Sequence, residues 1–156
     1  MEKNEFALQV EAIKTQLYKT AYLYLGNEAS SLDVVDESIY KALKALRSLR
    51  QPEFFVTWMT RIVINECYKE LRRLKRQYPE EYLPAPDGKD YDYDSLHLKE
   101  AIKLLPEELR SVIILRYFTG LTLTQTAEIL SIPQGTVVTR QRKALNLLKL
   151  ELSEEE

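Results

Sequence analysis

The chain reads as an all-α protein of two small helical domains joined by an acidic linker, the second a helix-turn-helix domain. Three observations predict this. Apolar residues recur at helical spacing nearly everywhere, with no sustained strand alternation. The stretch 77–97 breaks that rhythm with three of the six prolines and one of the four glycines. Near the C-terminus, two periodic segments are separated by only Ser131-Ile132-Pro133.

In chain order, Ile13, Leu17, Ala21 and Leu25 repeat every four residues and stop at Gly26-Asn27, a helix terminator. Val35, Ile39, Ala42, Leu46 and Leu49 form a second stripe. Pro52 opens a third segment, as proline does in a first helical turn, and this runs through Trp58 to about Arg76. Beyond the linker the pattern predicts helices over roughly 96–104, 107–118, 122–130 and 134–150. Thr122 or Thr124 is the expected cap of the third of these. The domains expected are therefore 1–76, a linker over 77–97, and 98–152.

Composition narrows the class. At 156 residues there is room for one ordinary domain or two small ones. No apolar run approaches the roughly 20 residues that span a bilayer, the N-terminus is charged, and Cys67 is the one cysteine, so a reducing cytoplasm is the expected setting. The net charge of −2 is uninformative until the chain is divided. Residues 1–76 carry 13 Lys/Arg against 10 Asp/Glu, and 98–150 carry eight against four. Residues 77–97 carry one Lys against six acids, and the last six residues hold four glutamates. Two basic blocks alternate with two acidic ones, and charge segregated in this way says more about partners than the total does.

Catalysis finds no support. His97, the only histidine, is far in sequence from Cys67, and together they make neither a zinc site nor a nucleophile–base pair. Four scattered glycines form no phosphate loop, and no metal, cofactor or small-molecule substrate is expected. Asp33, Asp36 and Glu37 cluster, but on a helix rich in solvent-type residues.

Two faces carry binding chemistry. On the helix after Ser131-Ile132-Pro133, Thr136, Thr139, Arg140 and Lys143 fall within about 100° of one another, with Arg142 close in sequence. Val137, Ala144, Leu145 and Leu148, with Gln141 among them, gather on the other side. Such a second helix can enter a major groove, with Arg and Lys donating to guanine or phosphate and Thr meeting phosphate or a thymine methyl. An ordinary helical hairpin with a solvated basic face has the same spacing. On the third helix, Arg61, Asn65, Lys69, Arg72 and Arg76 are spaced 4, 4, 3 and 4 residues apart, within about 80°, and Arg73 and Lys75 broaden the row. A row of cations repels itself unless solvated or facing an anion, and a nucleic-acid backbone is the commonest such anion. Asn65 can bond a base edge as donor and acceptor. Phe54, Phe55, Trp58 and Tyr68 lie nearby and could stack a base, although Phe55 and Trp58 suit a core better.

Together these residues resemble the extracytoplasmic-function sigma factors. LYKTAYLYLGN, SLDVVDESIYKALKAL and FFVTWMTRIVINECYKELRR are similar to sigma region two. The family's acidic motif and its Trp-Leu-x-x-Ile-x-x-Asn helix ending in Arg-Arg match at Asp33, Asp36, Glu37, Trp58, Met59, Ile62, Asn65, Arg72 and Arg73. The stretch from Leu104 to Lys149 is similar to region four, through Leu105-Pro106 with Arg110 and through Pro133 to Arg140. The resemblance implies that the helix from Asp33 to Leu49 docks on core RNA polymerase. It further implies that the loop Ser48–Glu53 and the basic row hold the melted minus-ten element of promoter DNA, with one base turned out. The last helix would read the minus-thirty-five element, and the linker would lie in the RNA exit path. An anti-sigma factor, often membrane-anchored, is the implied regulator, and a stress response the implied setting. Departures are Lys69 for Asp, Gln125-Thr126 for Glu-Ile, Ser131 for a turn glycine, Val138 for a basic residue and Lys143 for Arg. Ser131 would cost about 1 kcal/mol at positive φ. Two rivals predict different residues. A sigma-like decoy that only sequesters an anti-sigma factor would lack the cations, and a conventional helix-turn-helix repressor would not need Asn65, the Arg72-Arg73 pair or the acidic helix.

Overall fold

The computed structural model describes residues 1–78 and 93–154, with side chains over 1–78 and 98–149. The chain divides into two compact units, Met1–Asp87 and Gly88–Glu156. The first holds α1 (Lys3–Leu25), α2 (Glu28–Lys44) and α3 (Phe55–Gln77), with short 3-10 turns at Leu46–Ser48 and Pro52–Phe54. The second holds α4 (Tyr93–Leu104), α5 (Glu107–Ile113) continued by a π-turn at Ile114–Phe118, α6 (Leu123–Leu130) and α7 (Gln134–Glu154). No strand occurs among the described residues.

In the first unit α1, α2 and α3 each pack on the other two. α1 starts ten residues earlier than the Ile13 stripe predicts, because Phe6 and Val10 extend the same buried face. Phe6 meets Phe55 edge-to-face at 5.9 Å, tying the start of α1 to the start of α3. Gly26 ends α1 in the left-handed region at φ 67, where only glycine is unstrained, and its N–H donates to Tyr22 O at 2.7 Å. Asn27, expected to help stop α1, instead caps α2, its side chain accepting from Ser30 N at 2.9 Å. Pro52 does not enter α3 itself but forms the 3-10 turn leading into it at Phe55. The core is Leu17, Ala21, Tyr24, Leu25, Val35, Ala42, Phe55, Met59, Val63, Ile64, Cys67 and Leu71.

In the second unit α7 packs against α4, α5 and α6. Thr122 is the cap of α6, accepting from Gln125 N at 3.1 Å while the Gln125 side chain accepts from Thr122 N at 2.9 Å, a closed capping box. Ser131 ends α6 at φ 58, ψ 44, a strained position for a residue with a Cβ. Val112, Ala127 and Val137 form the core beneath this turn, with Leu123, Leu130 and Ile132 packed on it. Leu145, expected on the packing face of α7, is 41% exposed, since it lies about 80° round the helix from the centre of buried Val137, Ala144 and Leu148. The stretch expected as linker over 77–97 lies mostly outside the described residues, but both ends are helical. Gln77 closes α3, and α4 already begins at Tyr93.

Candidate nucleic-acid interface

α3 presents the row of cations because its other face is the seam Phe55, Met59, Val63, Cys67 and Leu71. Two charges interrupt that seam's edge. Glu66 is 8% exposed, and a carboxylate so placed is tolerable only when paired. It accepts from Lys41 Nζ of α2 at 2.6 Å and from Lys69 Nζ at 3.4 Å. The Glu66 carboxylate beside Lys41 raises that ammonium's pKa, holding it protonated. Glu70 accepts from Arg73 Nε at 3.1 Å, and Arg73 Nη1 donates to Gln77 Oε1 at 2.6 Å. So Lys69 and Arg73 arrive partly neutralised, and Arg61 is half-buried. Asn65, Arg72 and Arg76 stand exposed, with no ion pair or hydrogen-bonded partner among the described residues. Sequence spacing alone missed Glu66, although an acid at a seam position (three after Val63, one before Cys67) is the signal.

At the amino end of α3, Phe55 is buried as expected, while Trp58 is half-buried and its Nε1 donates to Ser48 Oγ at 3.2 Å. That bond spans the loop Ser48–Glu53 and fixes it against the helix. Phe54 is 53% exposed beside it. Cys67 is fully buried, and burial pushes its thiol far above the ordinary range, which makes it inert rather than nucleophilic.

Asp33, Asp36 and Glu37 are all exposed on α2. The structure joins two patches that the sequence keeps apart. An open groove of about 740 Å³ has Asp33 and Glu37 of α2 along one wall and Lys69, Arg72, Arg73 and Arg76 of α3 along the other. Asp36 lies outside it.

On α7, Thr139, Arg142 and Lys143 are exposed and Thr136 is half-buried. Thr139 Oγ1 donates to Gly135 O at 3.0 Å, so its hydroxyl proton is already used and it can act further only as an acceptor. Arg140 is half-buried, with Nη2 3.7 Å from Glu108 Oε2 of α5. Thr136, Thr139, Arg140 and Lys143 line a second open groove of about 640 Å³ against Glu108 and Leu109. Arg110, the arginine of the Leu-Pro signature, is buried, and its Nη1 donates to Lys103 O at 3.4 Å near the end of α4. Thr126, at the family's Ile position, is fully buried, and its hydroxyl has no partner among the described residues. Among the described residues no cluster of His, Cys, Asp and Glu could hold a metal.

Residues 9–77 match the family model for Sigma-70 region 2, and residues 101–150 match that for Sigma-70, region 4. RNA polymerase sigma factor SigV of Bacillus subtilis is 35% identical over 146 residues, covering 92% of this chain and 88% of that protein. The chain belongs to the sigma-70 family, on its extracytoplasmic-function branch. The ECF RNA polymerase sigma factor SigW of Bacillus subtilis is 30% identical, covering 97% of the chain and 90% of the relative. The fold agrees with the solved sigma factor RpoE of Bartonella quintana, in complex with the anti-sigma factor NepR, at a TM-score of 0.81. That match is 21% identical and covers 97% of this chain and 99% of the other. The family is one of sigma factors, not of enzymes. In this sigma factor α6 and α7 are the helix-turn-helix of region 4, and α2 and α3 belong to region 2. No described helix is long and apolar enough to cross a membrane.

Proposed function

We propose that this sigma factor binds core RNA polymerase in the cytoplasm and directs promoter-specific initiation in a stress response, and that it has no catalytic activity of its own. The observation that carries the reading is the pair of exposed cationic faces, one on α3 and one on α7, each in the region whose family model matches there. Residues 1–76 take the polymerase and the minus-ten element, 77–97 form the tether, and 98–152 take the minus-thirty-five element. Asp33, Asp36 and Glu37 of α2 are the polymerase contact. Arg61, Asn65, Lys69, Arg72, Arg73 and Arg76 of α3 hold the separated minus-ten strand. Exposed Asn65 supplies the base-edge bonds, and Arg72 and Arg76, without internal partners, supply the most available charge for phosphate. Thr136, Thr139, Arg140, Arg142 and Lys143 of α7 meet the upstream element, with Arg142 and Lys143 more open to the backbone than Arg140. Because RpoE was solved with the anti-sigma factor NepR, an anti-sigma factor is the proposed regulator here too.

Run-off transcription with core enzyme and genomic promoter fragments tests this. The expected result is a defined transcript only when both core and this chain are present. A shift of intact duplex by the chain alone, without transcription, would instead identify a repressor. Tight anti-sigma binding with no transcript would identify a decoy.

A further inference from the structure

α5 does not end as an α-helix. Over Ile114–Phe118 it widens into a π-turn, in which Thr119 N donates to Ile114 O at 2.9 Å. A π-turn carries one residue more than the turn it replaces, and such turns are found frequently at functional sites. Arg116 sits inside it. Its Nε donates to Gln141 Oε1 of α7 at 3.0 Å, and its Nη1 donates to Leu121 O at 2.9 Å, one residue before the Thr122 cap of α6. One guanidinium thus holds both helices of the helix-turn-helix from a third element.

Gln141 is the polar member of a seam otherwise made of buried Val137, Ala144 and Leu148. Apolar contacts in that seam are non-directional and permit small rotations and slides of α7. The planar guanidinium does not, because its bonds point in fixed directions. Gln141 follows Arg140 directly and precedes Lys143 by two residues, so pinning it fixes where both lie.

We infer that Arg116 is a positioning residue for promoter reading: its bonds to Gln141 and to the Leu121 carbonyl set the rotation and height of α7, and hence which α7 side chains face base edges. This rests on the proposal that α7 reads the upstream element.

The test uses Arg116→Met, Gln141→Leu, Gln141→Glu and the Arg116→Met/Gln141→Leu double variant. Each is assembled with core polymerase on a promoter library randomised in the upstream element, and thermal melts are recorded in parallel. Arg116→Met should broaden the selected sequences and lower transcription from the best wild-type promoter by about tenfold, or roughly 1.4 kcal/mol. Gln141→Leu should broaden selection in the same way while leaving the melting temperature unchanged, a split that loss of stability cannot produce. Gln141→Glu keeps an acceptor for Nε and should retain wild-type selection. The double variant should be no worse than Arg116→Met, since Gln141→Leu breaks only a contact that Arg116→Met already removes. Wild-type selection by Gln141→Leu, or additive losses in the double variant, overturns the inference. Should Arg116→Met fail to fold, the two Gln141 variants decide alone. Arg142→Ala and Lys143→Ala serve as controls. If neither affects transcription from the library, the assignment of α7 to DNA fails; if both do and Gln141→Leu does not, only the role of Arg116 fails.

Discussion

Glu108 stands where a DNA-reading surface would least want an anion, and replacing it gives a quantitative test of what Arg140 does. The Glu108 carboxylate lies 3.7 Å from Arg140 Nη2, with the Glu108 side chain 74% exposed and that of Arg140 28%. Two unit charges at that distance interact by about 1 kcal/mol in water and about 4 kcal/mol at an effective dielectric of 20. The high exposure of Glu108 puts this pair near the lower figure, in line with the roughly 0–1 kcal/mol of exposed ion pairs. For Arg140 to meet a base or phosphate, that attraction must be given up. Glu108→Gln, which keeps size and shape, should therefore tighten promoter binding by up to about fivefold. It should also steepen the dependence of log K on log salt by up to about one unit, because Arg140 then neutralises DNA rather than its own protein. Fluorescence anisotropy of the holoenzyme on a labelled promoter, at several salt concentrations, measures both. The decisive control is Arg140→Ala, which should lose about 1–3 kcal/mol and erase the gain from Glu108→Gln. An equal gain in the Arg140→Ala background would mean that Glu108 acts only as a distant charge. No gain in either background would mean that Arg140 never reaches DNA.

Four further outcomes are expected. Reversing Asp36 and Glu37 to Lys should weaken core polymerase binding by at least about tenfold with an unchanged circular dichroism melt, and unchanged affinity in a titration would remove α2 as the contact. Asn65→Ala should depress open-complex formation, read by permanganate footprinting, more than initial recruitment, read by gel shift; equal losses would make Asn65 structural. Thr126→Val replaces a fully buried hydroxyl lacking a partner with a methyl group of similar size. It should stabilise the second unit by about 1 kcal/mol, seen as a higher melting temperature, and a lower one would show that the hydroxyl is satisfied. Cys67 keeps its proton in the fold at pH values where the unfolded chain loses it, since burial raises the folded pKa above the ordinary 9.0. Its contribution is complete below pH 9 and falls by up to about 1.4 kcal/mol per pH unit above it, so urea midpoints of wild type and Cys67→Ala should converge as pH rises.

Much of the fold was readable where local chemistry fixes it. Gly26 is a helix boundary because a left-handed residue needs glycine, and a threonine cap for α6 was expected at Thr122 or Thr124, of which the reciprocal bond with Gln125 selects Thr122. The strain at Ser131 was likewise foreseeable from its place in the turn. What escaped depends on neighbours distant in sequence. The π-turn has no periodicity of its own and is held by contacts of Arg116 with residues five and 25 positions on. Leu145 lies toward the edge of the α7 seam by angle, and spacing does not say how wide the buried face is. For the candidate site, helical spacing put the right residues on shared faces yet could not say which cations are already paired. Lys69, Arg73 and Arg140 each meet an acid, and in two cases, Lys69 with Glu66 and Arg73 with Glu70, that acid is only three residues away. The Lys41–Glu66 contact links α2 to α3 across 25 residues, beyond any periodic argument.

The unbroken run of α3 from Phe55 to Gln77 also makes it a ruler. Trp58, which anchors the loop Ser48–Glu53, and Arg76 are separated by 18 residues, or about 27 Å of helix. Nothing along that length can stretch. A strand held on it as proposed would meet the Trp58 end and Arg76 at a set interval, whatever its sequence. Inserting one residue between Asn65 and Arg72 would lengthen the interval by only about 1.5 Å, but it would turn Arg72 and Arg76 about 100° away from Asn65. Registration along this helix is thus far less tolerant of length changes than of substitutions.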